Sequence, residues 1–403
     1  MDFAIFGGFK ERREKMLKDC LEIFKEKLKK AAERTGDMDQ LILDNYILEE
    51  GIYLIVNKDG SVQTPVEIKK DKKTKKLVNQ PMNYEKICLY DYYSQLVSMD
   101  KPQDPKKVIH SNNYLSFWVK QESFQNGKMN LEAVDRYFDI LANPRKKYTN
   151  KQDRKMYENI EKEIGEIDQE KLERNRKWIK ENIFSLQKYE ISLDKKKYLK
   201  IFFEEEDQIY IKEGKRYLFT KIFNKNKYNM EREDKIFGIP SNNMNLNEDK
   251  TYLEHKDRKL VVPYLISVEE AMIQKKFFDY LLNMAAIGKT NIFFNTESKE
   301  IIALERKEMI KQNFTGFFLQ IQKGKEAIIQ HQDVIVQYKF NLKKNFEYQN
   351  ILLTPDENGI YKSYGDVEAL QKLIDKTIFL NWLVYNYFTP EENIAVGEKL
   401  KEI

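Results

Sequence analysis

Strand-like and helix-like patterns follow one another in irregular order along this chain of 403 residues. Residues 51–68 read GIYLIVNKDGSVQTPVEI and contain an Asp-Gly turn, which is typical of a β-hairpin. Residues 267–286 space their apolar side chains for one face of a helix, and Ser267 and Glu270 form a capping box at its start. Because strands and helices do not alternate regularly, we predict an α+β fold of mixed helices, antiparallel sheets and hairpins that ends in helices.

The remaining elements follow from the same kinds of pattern. Helices are predicted at residues 10–35, 84–98, 130–142, 366–388 and 391–401, with a pair of charged helices within 150–188. Strands are predicted at residues 114–120, 259–266, 291–295, 301–305 and 317–323, and a three-stranded meander at 197–223. We therefore expect an N-terminal α+β lobe (1–150), a charged helical connector (151–190) and a second α+β lobe (191–403).

Charge and cysteine content limit the class of protein. The chain carries 70 Lys and Arg against 65 Asp and Glu, so a polyanion site has to come from local segregation of charge. Two cysteines cannot form a disulfide framework or a thiolate zinc cluster, which favours a reducing compartment. No stretch reaches the ~18 apolar residues of a membrane span, and the N-terminus lacks the charged segment of a secretory signal. We expect a cytoplasmic protein without membrane contact.

Residues 288–290, Gly-Lys-Thr, are similar to the end of a phosphate-binding loop. The motif requires a glycine where this chain has Asn283, and the tripeptide follows a predicted helix instead of opening one. We interpret the glycine as a helix end and keep Lys289 as a weak candidate for phosphate contact. None of the three histidines lies in a ligand-spaced pair, and we expect neither a metal site nor a cofactor.

A magnesium-dependent nuclease is the alternative enzymatic interpretation. Asp59, Glu67 and Lys69 are similar in order to a site in which two carboxylates hold Mg²⁺ and a lysine stabilises charge at the scissile phosphate. Asp59, however, occupies a predicted turn that selects Asp for conformational reasons. The Glu-x-Lys spacing is also undemanding in a chain rich in both residues. We therefore predict that the protein is not an enzyme, and a structural scaffold is the third interpretation.

Basic and aromatic residues are concentrated in residues 215–229, which contain no acid. Basic side chains neutralise phosphates, and exposed aromatic rings stack on bases. The candidates for phosphate contact here are Lys215, Arg216, Lys221, Lys225 and Lys227. A lysine run at residues 69–76 adds Lys72 and Lys73. The alternatives are an amphipathic strand that turns its aromatic side to the core and a charged tail that protects an edge strand.

Amide side chains recur in two Ser-Asn-Asn segments, residues 111–113 and 241–243. Asparagine and glutamine can pair with adenine in the major groove or reach acceptors in the minor groove, although asparagine also forms turns. The candidates for base or motif contact are Asn112, Asn113, Lys120 and Gln121 in the first segment and its strand, and Asn242, Asn243, Asn245 and Lys250 in the second.

Two passages resemble a known family. SNNYLSFWVKQES…GKMNLEAVDRYFDILANPRKKY at residues 111–148 and FGIPSNNMNLNEDKTYLEHKDRKLVVPYLISVEEAMIQKKFFDYLLNMAAIGKTNIFF at 237–294 are similar to the large subunit of the type I-B CRISPR–Cas surveillance complex, Cascade. The hairpin segment DNYILEEGIYLIV at residues 44–56 fits as well, so that the resemblance spans roughly residues 40–390.

The resemblance implies a non-catalytic subunit that recognises the protospacer-adjacent motif on duplex target DNA, aids unwinding and recruits the helicase–nuclease. Its partners would be the guide RNA with its 5′ handle and the handle-capping and backbone subunits of Cascade. Base pairing with the guide reads the target, so the subunit would read only the motif and the DNA backbone. Members of the family usually continue into a C-terminal helical bundle; because the sequence given ends at Ile403, we do not expect that bundle in it.

Overall fold

A computed structural model describes residues 3–36, 38–71, 77–189, 191, 197–233, 235–241, 265–349 and 361–374. The chain forms two compact units. The first comprises Met1–Gly288 with Ile321–Gln330, and the second comprises Lys289–Gln320 with His331–Ile403. Helices and antiparallel or mixed sheets are both present, so the predicted α+β class is confirmed.

The helices described in the first unit are α1 (Phe3–Thr35), α2 (Gln40–Leu43), α3 (Tyr84–Tyr93), α4 (Glu122–Gln125), α5 (Leu131–Ala142), α6 (Lys151–Ile164), α7 (Gln169–Asn182), α8 (Asp207–Lys221) and α9 (Val268–Ala286). Its strands are β1 (Gly51–Val56), β2 (Val66–Ile68), β3 (Ser116–Lys120), β4 (Tyr198–Phe203), β5 (Met230–Arg232), β6 (Lys235–Gly238) and β7 (Ile266–Ser267). Short 3-10 segments lie at Pro144–Lys146, Leu186–Tyr189 and Asn226–Tyr228.

The chain after α9 consists mainly of strands. β8 (Lys289–Asn295), β9 (Ile301–Glu305), β10 (Phe314–Lys323) and β11 (Ala327–Tyr338) form a sheet in the order β11-β10-β8-β9. β12 (Asn341–Gln349) and β13 (Tyr361–Asp366) form an antiparallel two-stranded sheet, which α10 (Val367–Leu373) follows. The strands predicted at residues 291–295, 301–305 and 317–323 are confirmed, whereas β11, β12 and β13 were not predicted.

A four-stranded sheet in the order β2-β1-β4-β3 carries the main core of the first unit. β1 pairs antiparallel with β2, and the predicted turn between them contains Gly60 with φ +87°. β4 pairs parallel with β1 and antiparallel with β3. Because β4 lies beyond residue 190 and pairs with two strands from the first 150 residues, the predicted division into lobes 1–150 and 191–403 is wrong.

A buried ion pair lies in the core of this sheet. Lys200 of β4 places its Nζ 2.6 Å from Oδ1 of Asp91 in α3 and 3.9 Å from the ring centroid of Trp118. The hydroxyl of Tyr46 donates to the other carboxylate oxygen at 2.6 Å. Since a buried charge is tolerated only when it is paired and hydrogen-bonded, these contacts account for a lysine in a central strand.

The helix predicted at residues 267–286 is confirmed as α9, and its start has the predicted cap. The Ser267 hydroxyl accepts a hydrogen bond from the Glu270 amide at 3.2 Å, and the Glu270 carboxylate accepts one from the Ser267 amide at 2.9 Å. α9 packs on α1, where the rings of Phe24 and Phe277 meet edge to face with centroids 5.4 Å apart. Among the described residues, no helix is both long and apolar enough to cross a membrane.

The meander predicted at residues 197–223 is wrong after its first strand. Residues 198–203 form β4, but Asp207–Lys221 form the helix α8. The buried side chains Tyr210, Tyr217 and Thr220 recur at helical spacing, and this periodicity was hidden by neighbouring β-branched and aromatic residues. Tyr210 stacks on Tyr90 of α3 with ring centroids 3.8 Å apart, so tertiary packing outweighs local strand propensity.

Other predictions are confirmed in part. The helices expected at residues 10–35, 84–98 and 130–142 correspond to α1, α3 and α5, and the pair within 150–188 corresponds to α6 and α7. The helix expected at residues 366–388 is described only as Val367–Leu373. The helix expected at residues 391–401 and most of the strand expected at 259–266 lie outside the described residues.

Candidate nucleic-acid interface

The amides of the first Ser-Asn-Asn segment bind the carboxyl end of α3. Asn112 donates from Nδ2 to the carbonyl oxygens of Tyr93 at 3.0 Å and Gln95 at 2.7 Å. Asn113 is 2% exposed, accepts from the Leu115 amide at 2.9 Å and donates to Oδ1 of Asn112 at 2.7 Å. Because these amides are buried and already bonded within the chain, the structure contradicts the prediction that they contact a base.

The strand that follows has one accessible candidate. Gln121 is fully buried, and its Nε2 donates to the Tyr198 carbonyl at 3.4 Å, so the predicted base contact of Gln121 is also contradicted. Lys120 is half-exposed and lies 3.8 Å from the carboxylate of Glu122. An exposed ion pair of this kind holds its lysine weakly, so Lys120 remains a candidate for contact with DNA.

The first two basic residues of the 215–229 segment are paired with acids. Arg216 is buried in α8 and donates from Nε and Nη2 to the carboxylate of Glu213 at 2.9 Å and 3.0 Å. Its Nη2 also donates to the Gly165 carbonyl at 3.0 Å. The structure therefore contradicts the predicted phosphate contact of Arg216. Lys215 is half-buried and pairs with Glu163, which leaves it a weak candidate.

Three lysines with few acids nearby, Lys101, Lys147 and Lys221, are here called the lysine cluster. Lys101 donates from Nζ to the carbonyl oxygens of Lys221, at 3.0 Å, and of Phe223, at the carboxyl end of α8. Lys147 donates to the carbonyl oxygens of Pro102 and, at 2.8 Å, of Gln103. The Lys221 ammonium lies 5.0 Å from the ring centroid of Tyr148. The cluster thus binds main-chain carbonyls and an aromatic ring.

Burial, together with repulsion between the ammonium groups, lowers the pKa values of these lysines. Burial, and then the charge of Lys221, lowers the pKa of Lys101 to about 8 and the pKa of Lys147 to about 7. Burial also lowers the pKa of Lys221, against the attraction of Asp153. Because burial lowers the pKa of Lys221 as it does those of Lys101 and Lys147, Lys221 is not an open site for a phosphate, and the structure does not favour its predicted phosphate contact.

The cationic turn, defined here as Lys225, Lys227 and Tyr228, directly follows α8. All three residues are exposed, and the Lys227 ammonium lies 4.6 Å from the Tyr228 ring centroid. Asn226 between them is buried and donates from Nδ2 to Asp153 Oδ1 at 2.7 Å and to the Thr220 carbonyl at 2.9 Å. This anchor fixes the turn, so that two ammonium groups and one aromatic ring face solvent in a defined place.

The remaining candidate residues lie in three parts of the chain. Lys72 and Lys73, and Asn242, Asn243, Asn245 and Lys250 of the second segment, lie outside the described residues. Lys289 is half-buried at the start of β8 in the second unit and follows Gly288, whose φ of +85° confirms the interpretation of that glycine as a helix end. At the start of the lysine run, Lys69 pairs with Glu67 at 2.8 Å and Lys70 with Glu49 at 3.2 Å.

The geometry of the first hairpin separates the acids of the nuclease interpretation. Glu67 lies in β2, opposite Ile52 of β1. Asp59 lies in the turn beyond Val56, where its carboxylate accepts a hydrogen bond from the Ser61 amide at 2.9 Å. The step of five residues from Ile52 to Asn57, where the turn begins, corresponds to ~16 Å, so the two carboxylates cannot share one metal ion. Among the residues that the structure describes, no group of three or more His, Cys, Asp or Glu side chains is arranged to hold a metal.

One internal cavity touches the buried amides and α8. It is lined by Asn112, Asn113, Tyr148, Glu213 and Arg216 among others and has a volume of about 20 Å³. That volume holds about one water molecule and is too small for a nucleotide. The accessible chemistry of this part of the first unit therefore lies on its surface, at the cationic turn.

Sequence reasoning missed Lys101 and Lys147, and no local signal could have found them. Lys101 donates hydrogen bonds to carbonyl oxygens of residues about 120 positions away in the sequence. Lys147 donates to a carbonyl oxygen about 45 positions away. Such contacts depend on tertiary packing that no short motif encodes.

Comparison with protein-family models, with curated proteins and with solved structures finds no match to this chain.

Proposed function

We propose that this protein is a non-catalytic large subunit of a type I-B CRISPR RNA-guided surveillance complex, which contacts duplex DNA at the protospacer-adjacent motif. Two lines support the proposal. The passages at residues 111–148 and 237–294 resemble that family. The cationic turn offers two exposed lysines and an exposed tyrosine on an anchored segment, which suits a phosphate backbone.

The observation that carries the proposal is the exposure of Lys225 and Lys227 within residues 215–229, a segment that contains no acid. Neither forms an ion pair within the described part of the chain, and the buried Asn226 prevents the turn from collapsing onto the fold. Lysines that are fixed and unpaired are suited to replace the counterions of a phosphate backbone. Lys120 would extend this contact, and the reading of the motif itself would fall to Asn242, Asn243, Asn245 and Lys250.

In the proposed assembly the chain would join the end that holds the 5′ handle of the guide RNA. Its partners would be the handle-capping and backbone subunits, duplex target DNA and the recruited helicase–nuclease, in the cytoplasm. The subunit would aid unwinding without cleaving, because base pairing with the guide reads the sequence and the recruited enzyme cuts.

Charge reversal at the cationic turn tests the DNA contact. In the full chain, Lys225→Glu combined with Lys227→Glu should weaken binding of duplex DNA for all sequences. It should also lower the slope of log affinity against log salt by about two, since each phosphate contact contributes ~0.9. The measurement is fluorescence anisotropy of a labelled duplex across a series of salt concentrations.

The matched control is the pair Lys58→Glu and Lys128→Glu, which changes the net charge equally at exposed lysines outside residues 215–229, neither of which forms an ion pair in the described part of the chain. This control should leave the salt slope unchanged. A slope that is unchanged in the turn variant, or that falls equally in the control, would contradict the proposed contact.

A further inference from the structure

The sheet of β12 and β13 has two chemically different faces. In its register Phe346 lies opposite Tyr364, and Glu347 lies opposite Ser363. The Ser363 hydroxyl donates to the Glu347 carboxylate at 2.7 Å and accepts from Asn345 at 3.0 Å, so these three side chains share one face. Because successive residues of a strand point to opposite faces, Phe346 and Tyr364 lie on the other face, here called the aromatic face.

The aromatic face is open to solvent. Phe346 is 42% exposed, and Tyr364 and Tyr348 are half-exposed. Tyr348 follows Phe346 by two residues, which places it on the same face ~6.6 Å further along the strand. An exposed phenylalanine in a two-stranded sheet is costly unless something covers it, because such a sheet has little core of its own.

Exposed lysines lie in β12 and just before it. Lys339, Lys343 and Lys344 are exposed, and in the described part of the chain none of them forms an ion pair with a carboxylate. Lys343 and Lys344 precede Phe346 by three and two residues, within the stretch where the register of β12 shifts, so both lie at the end of the aromatic face. Of the two acids described in this sheet, Glu347 is bound to Ser363 on the opposite face, and Asp366 of β13 caps α10 by accepting a hydrogen bond from the Ala369 amide at 2.8 Å. The aromatic face is therefore locally cationic.

We propose that the aromatic face is a binding platform for single-stranded nucleic acid, on which bases stack on Phe346, Tyr348 and Tyr364 while Lys343 and Lys344 contact phosphates. Stacking requires bases whose faces are free, which a duplex does not offer, and rings spaced along a strand suit successive bases of one extended chain. The positive charge of the exposed lysines is complementary to a polyanion and not to another basic surface. The inference rests on the proposed function, to which it adds a single-stranded partner.

Removal of the rings tests the platform. In the full chain, Phe346→Ala combined with Tyr364→Ala should weaken binding of a labelled oligothymidylate about tenfold or more, since each lost stacking contact is expected to cost about that factor. Duplex binding should be unchanged. Phe346→Leu is the second variant, because it keeps an apolar side chain in the strand and removes only the ring. The matched control is Val336→Ala, which shortens another exposed apolar side chain, 78% exposed in β11.

The outcomes separate this inference from the proposed function. The inference is overturned if the oligothymidylate binds equally to the unchanged chain and to both ring variants, or if the unchanged chain does not bind it at all. It is supported if the ring variants lose single-strand affinity while the Val336 control does not. The Lys225→Glu and Lys227→Glu variant of the cationic turn reports separately on duplex binding. The duplex contact can therefore fail while the single-strand contact holds, and the single-strand contact can fail while the duplex contact holds.

Discussion

Asn112 and Asn113 join the loop before β3 to the end of α3, where a helix leaves its last carbonyl groups without partners. Asn112 donates to the carbonyl oxygens of Tyr93 and Gln95, and Asn113 adds a second, longer hydrogen bond to the Tyr93 carbonyl at 3.4 Å. The pairing of buried amides with a helix end explains why this polar loop is enclosed by apolar residues. It also shows that the chemistry of an amide does not identify its partner until its burial is known.

Replacement of Asn113 with Ala should therefore act on stability and not on DNA preference. The change leaves buried polar groups unsatisfied, including the Leu115 amide, and should lower the free energy of unfolding by ~1–3 kcal/mol. Urea unfolding of the full chain measures it. The control is Asn143→Ala at an exposed position, which should change stability by less than ~0.5 kcal/mol. A stable variant with altered motif preference would contradict the structural role.

Lys147 should make stability depend on pH. Burial and then Lys221 lower its pKa in the folded chain to about 7, whereas an unfolded lysine keeps its proton up to ~10.4. Between these values the unfolded state binds more protons, so stability should rise with pH. From pH 6.5 to 8.5 the gain from this residue should be ~1–2 kcal/mol.

The measurement is urea unfolding across that pH range for the unchanged chain and for Lys147→Met. The variant should lose the part of the gain that Lys147 contributes, whereas Lys101, with its pKa lowered to about 8, should still contribute the rest. The variant also lacks the donor to the Gln103 carbonyl and should be less stable at every pH. Lys225→Met, at an exposed position, should keep the slope of the unchanged chain. Parallel slopes for the unchanged chain and the Lys147 variant would show that Lys147 does not titrate in this range.

At the scale of elements, α8 is the part of the first unit on which the site depends. It packs Tyr210 and Tyr217 inward, binds Lys101 at its carboxyl end and leads directly into the cationic turn. Gly214 allows α8 to approach α3 closely, because a Cβ there would lie 2.5 Å from the Tyr93 carbonyl oxygen. The exposure of Lys225 and Lys227 is thus a consequence of how this helix ends.

Gly214→Ala should destabilise the chain although alanine is the better helix former. The propensity gain of ~1 kcal/mol is outweighed by the clash with main-chain atoms of α3, and we expect a net loss of ~1–3 kcal/mol. Lys212→Ala on the exposed face of α8 is the control and should be neutral or slightly stabilising. Thermal unfolding compares the two; a more stable Gly214 variant would contradict the close packing of α3 and α8.

Elements with strong local signals could be predicted from the sequence. The capping box of α9 and the Asp-Gly turn after β1 are set by neighbouring residues, and both are confirmed. α8 could not be predicted because its buried side chains pack on residues distant in the sequence: Tyr210 stacks on Tyr90 of α3, and the Tyr217 hydroxyl accepts a hydrogen bond from the Val97 amide beyond α3. The same holds for the site: the composition of residues 215–229 indicated the cationic turn, but the pairing of Arg216 with Glu213 depends on the helix that the strand prediction excluded.

At the scale of the whole molecule, each of the two units carries one of the two proposed surfaces for nucleic acid. The first unit presents the cationic turn after a helix, which suits the phosphates of a duplex. The second unit presents aromatic rings on a two-stranded sheet, which suits unpaired bases. A subunit that meets duplex DNA and helps to open it would contact both forms, so the two surfaces are consistent with one proposed function.

The central claim is that this chain works inside an RNA-guided assembly. The most direct measurement is co-purification of the full chain with the products of its neighbouring genes, followed by sequencing of any bound RNA. The account predicts a stable complex that contains short RNA with one fixed 5′ end and that binds duplex DNA without cleaving it. A chain that purifies alone and free of RNA under these conditions, or that cleaves DNA with Mg²⁺ by itself, would contradict the account.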